Sequence, residues 1–376
     1  MRSKRILLIT PAFPPELGGV QNYLSNFCKN SRNKIYVISK KTKGSKDFDR
    51  KQIFKIERTR VQFHLSATLK VVSKIFKKQK IELLCIGHPS LLHIGYFAKK
   101  IFGIKYVVFI FGGEYLDFPF SKFYKPIIRR SLRNADSIIT ISKWLKQDLM
   151  KLGASGNRIK IVHPGVELER FIKFKKFDMV EDLGRKHNLH DKKIILTVAR
   201  LLSRKGHRNV IHALPKILKK VPNTVYISVG GPEDKMEQLR AFAKRIGVID
   251  NTIFVGDQRG DDYVSYHYLS DIFVMLSQYS KEKGFIEGFG IVFLDANACG
   301  KPVIGTNVGG IPDAIKDGVT GFLVDSNDEN DFVDKCVRLL RSKKLRNKMG
   351  KEGIRWAKQH DWKKIVAQID EIINNL

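Results

Sequence analysis

Apolar residues in this chain fall into short β-branched runs, separated by stretches in which they return every three or four positions. The runs predict strands over 5–10, 34–39, 53–57, 81–87, 105–111, 137–141 and 159–163. Helical spacing fills the intervals at 20–29, 65–78, 91–102 and 144–151. After a charged pause over 171–193 the runs resume at 194–198, 224–229, 252–255, 272–276 and 302–305. Strands alternating with helices predict parallel α/β layers. The pause predicts a linker near 170–180, hence one domain over 1–172 and a second over 173–358. From 331 onward the pattern is helical, and a break at Gln359-His360-Asp361 sets off 359–376, with an amphipathic helix from Trp362. Two successive α/β domains predict a ligand cleft between them, at the carboxyl ends of the strands.

Length agrees, since 376 residues exceed one ordinary core. With 43% hydrophobic and 28% charged residues, the chain reads as folded and soluble rather than disordered. No apolar run reaches membrane-spanning length. At the N-terminus the basic Met1–Arg5 precedes only Ile6–Ile9 before Pro11, which reads as a first strand and not as a signal peptide. Cys28, Cys85, Cys299 and Cys336 lie far apart, as small buried residues in a reducing cytoplasm do. The net charge of +32 leaves three readings open: a nucleic-acid partner, an anionic membrane surface, or a solvated basic surface. No zinc finger, basic zipper or aromatic RNA-binding signature supports the first.

Three segments carry candidate chemistry. Pro11–Gln21 contains Gly18-Gly19 between the first strand and helix, where amides and the helix dipole favour a phosphate. It is neither a dinucleotide fingerprint nor a P-loop, because Gly-x-Gly-x-x-Gly and Gly-Lys-Ser/Thr are absent. Arg200, Arg204 and Lys205 lie on a turn ending a strand, placed to clamp a diphosphate. Gly284–Pro302 reads as loop, helix and glycine stop. Glu287 precedes that helix and Asp295 follows eight residues on, about 12 Å along a helix, so the two carboxylates suit separate hydroxyl groups of one elongated ligand. Asp47-Phe48-Asp49 is the one Asp-x-Asp triplet and reads as part of a solvated charged loop, so no metal site is expected.

In this order the segments resemble the retaining group 1 glycosyltransferases of GT-B architecture, particularly bacterial phosphatidylinositol mannosyltransferases and related lipid or polysaccharide glycosyltransferases. Gly300-Lys-Pro-Val-Ile-Gly-Thr-Asn-Val-Gly-Gly-Ile-Pro-Asp313 and His163–Phe171 extend the likeness over nearly the whole chain. The resemblance implies two Rossmann-like domains facing a cleft, with a final helix crossing back to the first. It implies that Gly18 and Gly19 offer amides to a donor diphosphate neutralised by Arg200 and Lys205. Glu287, with the amides of Phe289, Gly290 and Ile291, would bind the transferred sugar. Asp295 would hold the ribose and Val255 border the base, while Gln21 and Glu114 are the acceptor candidates. The donor would be GDP-mannose or a UDP-hexose, with no cofactor or metal, and the acceptor a lipid-linked or glycan molecule. Retention of configuration is implied without an enzyme nucleophile, and domain closure would complete the site. Two departures stand out. The family usually has Glu at the position of Asp295. Phe111–Glu114 falls where many members carry a histidine, for which His88 and His163 are the candidate substitutes. Ile127, Ile128 and Leu132, interleaved with Arg129, Arg130 and Arg133, are expected to give the first domain a face for an anionic membrane on the cytoplasmic side. Alternatives are a nucleotide-sugar epimerase or other GT-B enzyme and, more distantly, a basic nucleic-acid-binding protein.

Overall fold

The computed structural model describes residues 2–59, 65–112, 121–279 and 286–376, without the side chains of 65–67 and 121–125. The chain divides into two compact units, Met1–Pro164 with Trp362–Leu376, and Gly165–Asp361. The boundary expected at 172/173 lies inside the second unit for a packing reason. Leu168 and Phe171 are buried there, with the Phe171 ring 6.4 Å from Tyr263 and 6.2 Å from His267.

In the first unit, β1 (Arg5–Ile9), β2 (Lys34–Lys40), β3 (Lys55–Thr59), β4 (Leu83–Ile86), β5 (Tyr106–Ile110), β6 (Ser137–Thr140) and β7 (Ile159–Ile161) pair in parallel in the order β3-β2-β1-β4-β5-β6-β7. Ile6–Ile9, Leu83–Ile86 and Tyr106–Ile110 are all buried. A parallel sheet covered on both faces needs such continuous apolar runs rather than alternation. The chain builds β1 to β3 outward and then returns to lay β4 on the other side of β1. The loops after β1 and β4 therefore diverge, which opens a crevice at their carboxyl ends.

The last helix, Trp362–Asn374, belongs to this unit. Its Trp362 ring meets Tyr23 edge-on at 5.3 Å, and Ile365, Val366, Ile369 and Ile373 are buried. Each such side chain contributes about 1.5–3 kcal/mol by leaving water. Asp370 fixes the docking: its buried carboxylate accepts from Ser31 Oγ (2.5 Å), Arg32 N (2.8 Å) and Asn33 Nδ2 (2.9 Å). The helix Ser121–Asn134 corrects one expectation. Ile128 and Leu132 are buried in the unit, so of the anticipated apolar face they are not available to a membrane, whereas Arg129, Arg130 and Arg133 are exposed.

In the second unit β8 (Lys193–Val198), β9 (Thr224–Val229), β10 (Thr252–Val255), β11 (Ile272–Met275), β12 (Val303–Thr306) and β13 (Gly321–Val324) form a parallel sheet in the order β10-β9-β8-β11-β12-β13. The reversal of order recurs between β8 and β11. The stretch 171–193 is not a plain pause: helix Phe177–Lys186 occupies it, with no fully buried residue, so its charge concealed its helical period. All four cysteines are free and buried. Among the described residues no helix is long and apolar enough to cross a membrane.

Candidate active site

The chemistry of the second unit gathers where the strand order reverses. After β8 the chain passes through Ala199 and Arg200 into a short turn, Ser203–Lys205. Leu201 N donates to Gly231 O (2.8 Å) and Gln278 N to Arg204 O (2.8 Å), lacing the turn to the loops after β9 and β11. Gly206 closes the turn at φ +77°, and a Cβ there would lie 2.0 Å from Leu276 O. Only glycine permits the approach. Lys205 is thereby carried to the end of β11, where its Nζ bonds Glu287 Oε2, the two side chains being 15% and 14% exposed. Ser277 Oγ stands 3.5 Å from the same oxygen. Behind Glu287 its carbonyl accepts from Gly310 N (2.9 Å), and a Cβ on Gly309 would fall 2.5 Å from that carbonyl. Burial acts to raise the Glu287 carboxyl, but Lys205, Arg204 and Ser277 outweigh it and hold it below its ordinary value. Arg200 is exposed on the segment between β8 and this turn.

Glu287 and Asp295 do not share one helix. The helix is Ile291–Ala298, capped by Gly290 at φ +89°, where a Cβ would meet the Phe293 ring at 2.7 Å. Phe289 is buried just before it and Ile291 opens it. Asp295 is half-buried in its second turn, and Tyr263 Oη donates to Asp295 Oδ2 at 2.7 Å. Burial pushes the Asp295 carboxyl up to about 7, against the opposing pulls of Tyr263 and Arg170. Val255 ends β10, two strands from β8, with its carbonyl accepting from Gly230 N (2.9 Å).

The first unit has its own crevice between β1 and β4. Gly18 and Gly19 are exposed at the start of helix Gly19–Asn30, whose first bond runs from Asn22 N to Gly18 O (2.9 Å). Gln21 folds back over the cap, so that a Cβ on Gly18 would lie 2.3 Å from Gln21 Oε1. His88 follows β4. Its Nδ1 accepts from Ser90 N (3.2 Å), and burial together with Lys40 lowers its pKa to about 4, leaving a neutral ring at pH 7. Gly113 and Glu114 lie outside the described residues. The Asp47-Phe48-Asp49 triplet is not a solvated loop: it lies in helix Ser45–Arg50, and Asp49 receives Arg58 Nη2 (2.7 Å) and Nε (3.0 Å).

Residues 180–356 match the family described as Glycosyl transferases group 1, and residues 17–170 match Glycosyltransferase Family 4. The chain is a glycosyltransferase built of a Family 4 domain followed by a group 1 domain. It is 26% identical over 378 residues to the GDP-mannose-dependent alpha-(1-6)-phosphatidylinositol monomannoside mannosyltransferase of Mycolicibacterium smegmatis, spanning 98% of each protein. It is 30% identical to the D-inositol 3-phosphate glycosyltransferase of Corynebacterium glutamicum, over 64% of this chain and 58% of that one. Among solved structures, Anabaena HepE in complex with UDP superposes with a TM-score of 0.85 at 20% identity, covering 99% of this chain and all 100% of that one. Sucrose-phosphate synthase from Thermosynechococcus elongatus does so at 0.81 and 19%, covering 99% and 98%. Likeness at that identity carries the GT-B fold.

In this glycosyltransferase several side chains join the site without having stood out in the sequence. Ser277 stands two residues past the end of β11 and faces Glu287. Tyr263 lies in Tyr263-Val-Ser-Tyr-His-Tyr268, an aromatic density that is the one local signal for it, but its partner is 32 positions away. Arg170 lies in the stretch read as linker, and its guanidinium sits 5.1 Å from the Tyr263 ring centroid.

Proposed function

We propose that this enzyme transfers a hexosyl group, mannose foremost, from a nucleotide sugar to a lipid-linked or polysaccharide acceptor with retention of configuration. GDP-mannose ranks ahead of UDP-hexoses as donor because the relatives matched over their full length are GDP-mannose-dependent. The observation that carries the reading is the contact of Lys205 with Glu287 at the β8/β11 crevice, with Arg200 on the segment that leads from β8 into the Lys205 turn. A sugar nucleotide presents a diphosphate beside a ring of hydroxyls, and this crevice presents cations beside a carboxylate.

Arg200 and Lys205 take the diphosphate oxygens. When the bond between the anomeric carbon and phosphate breaks, negative charge grows on the leaving phosphate, and cations already fixed in place stabilise that charge most. Glu287, held ionised, accepts from sugar hydroxyls, and the amides of Phe289, Gly290 and Ile291 lie at a helix start suited to the same ring. Asp295 accepts from the ribose, and Val255 borders the base. Gly18 and Gly19 supply amides to phosphate, and Gln21 and Glu114 contact the acceptor. No metal is needed for these charges, and no cofactor beyond the donor. Acceptor lipid is met on the cytoplasmic face of a membrane through exposed cations, Arg129 and Arg130 among them, rather than through Ile128 and Leu132.

Calorimetric titration of GDP and UDP into wild-type protein and into Arg200→Ala with Lys205→Ala tests the site. The wild type binds GDP more tightly, and the double variant loses about tenfold or more for both nucleotides. Equal affinity in the variant contradicts the assignment.

A further inference from the structure

The pairing of Tyr263 with Asp295 has no counterpart in the roles assigned above, and its surroundings are more constrained than a chance contact requires. Asp295 is joined to its helix by a single methylene and is half-buried. A carboxylate so placed has several rotamers. Tyr263 comes from another helix, Gly260–Leu269, and bonds one carboxylate oxygen only, Oδ2 at 2.7 Å.

Tyr263 itself is held from several directions. The Arg170 guanidinium lies over its ring at 5.1 Å, while Arg170 Nη2 donates to Gly260 O (2.8 Å), the first residue of the same helix. The Phe171 ring approaches edge-on at 6.4 Å, and the His267 ring lies at 4.7 Å, with Nδ1 2.8 Å from Tyr263 O. Burial keeps the phenol un-ionised, so its hydroxyl is available as a donor. A hydrogen bond from a fixed hydroxyl to a carboxylate belongs to the stronger, charge-assisted kind. Its cost in side-chain entropy is already met by the cage of Arg170, Phe171 and His267.

We infer that Tyr263 is a donor-positioning residue, whose hydroxyl holds Asp295 in the rotamer that leaves Oδ1 for the ribose hydroxyls of a nucleoside diphosphate. This rests on the reading of Asp295 as the ribose ligand. Tyr263 touches no part of the donor and acts through Asp295. Arg170 acts one step further back, through the ring.

The test uses the full chain and four probes, GDP, UDP and their 2′,3′-dideoxyribose counterparts, titrated by calorimetry. Wild type favours ribose over dideoxyribose by about tenfold or more, the worth of hydrogen bonds to a charged group. Tyr263→Phe keeps the ring under Arg170 and removes only the hydroxyl. It brings that ratio close to one and raises the donor KM about tenfold, while kcat changes by less than about twofold, because positioning the ribose is uniform binding. In an Asp295→Asn background the same change adds nothing. Arg170→Gln leaves the hydroxyl present but frees the ring, and it lowers the ratio in the same direction should Tyr263→Phe fail to fold. If Asp295→Asn loses the discrimination while Tyr263→Phe and Arg170→Gln keep it, this inference is overturned and the ribose role of Asp295 stands. If Asp295→Asn also keeps it, both fall.

Discussion

Lys205 and Glu287, 82 positions apart, meet Nζ to Oε2 across the point where the strand order of the second unit reverses. Each leaves the other in need of a partner, since both side chains are more than four-fifths covered. Glu287→Ala and Lys205→Ala are each expected to cut kcat/KM by at least about 10²-fold, the usual loss when one preorganised charge-stabilising group is removed. Each also lowers the thermal midpoint, because one buried charge remains uncompensated. Replacing both by Met restores part of the midpoint and none of the activity. Steady-state kinetics with calorimetry decide it, and near-wild-type turnover in Glu287→Ala contradicts the site.

Asp295 makes the account sensitive to pH. Its carboxyl lies near 7 in the native protein against 3.8 for the free group. Between those values the native state holds a proton that the unfolded chain has released. Stability from this group therefore falls as pH rises through that window and stays lower above it. Asp295→Asn removes the effect, so the midpoint difference, variant minus wild type, grows from pH 5 to pH 8. Affinity for GDP runs the other way, rising through pH 7 in wild type as the carboxylate ionises. A midpoint difference independent of pH argues against the shift.

Transfer is expected to proceed unchanged in EDTA. Arg200 and Lys205 supply the positive charge, and Asp49 of the Asp-x-Asp triplet is already engaged by Arg58. Turnover that disappears in EDTA and returns with manganese or magnesium refutes this.

Membrane contact is expected to be electrostatic. The exposed Arg129, Arg130 and Arg133 each add about 1 kcal/mol near an anionic surface before screening. Sedimentation with vesicles should show binding to anionic lipid that weakens with salt, and little binding to neutral lipid. Changing Arg129, Arg130 and Arg133 to Gln weakens it without altering GDP affinity. Indifference to anionic vesicles at low salt favours a soluble acceptor.

How far the sequence carried the account differs by element. Strands buried on both faces, such as Ile6–Ile9 and Tyr106–Ile110, announce themselves as unbroken apolar runs. β13 escaped because Gly321-Phe-Leu-Val324 is four residues long and opens on glycine. Helix Phe177–Lys186 escaped because charge dominates it. Arg200, Lys205 and Glu287 were legible as residue types flanking strand ends and glycines. The contact between Lys205 and Glu287, and the hold of Tyr263 on Asp295, were not. Both join residues distant in the chain, and only the order of strands and helices brings them together. Ile128 and Leu132 show the opposite limit, since an amphipathic helix has the same pattern whether its apolar side meets a core or a bilayer.

The most direct measurement incubates the enzyme with a panel of GDP- and UDP-sugars and a lipid-linked acceptor extract, following donor and product by mass spectrometry and the new anomeric centre by NMR. The account predicts that GDP-mannose is consumed only when acceptor is present, and that the product carries the same anomeric configuration as the donor. Consumption of no nucleotide sugar, epimerisation without transfer, or an inverted linkage contradicts it.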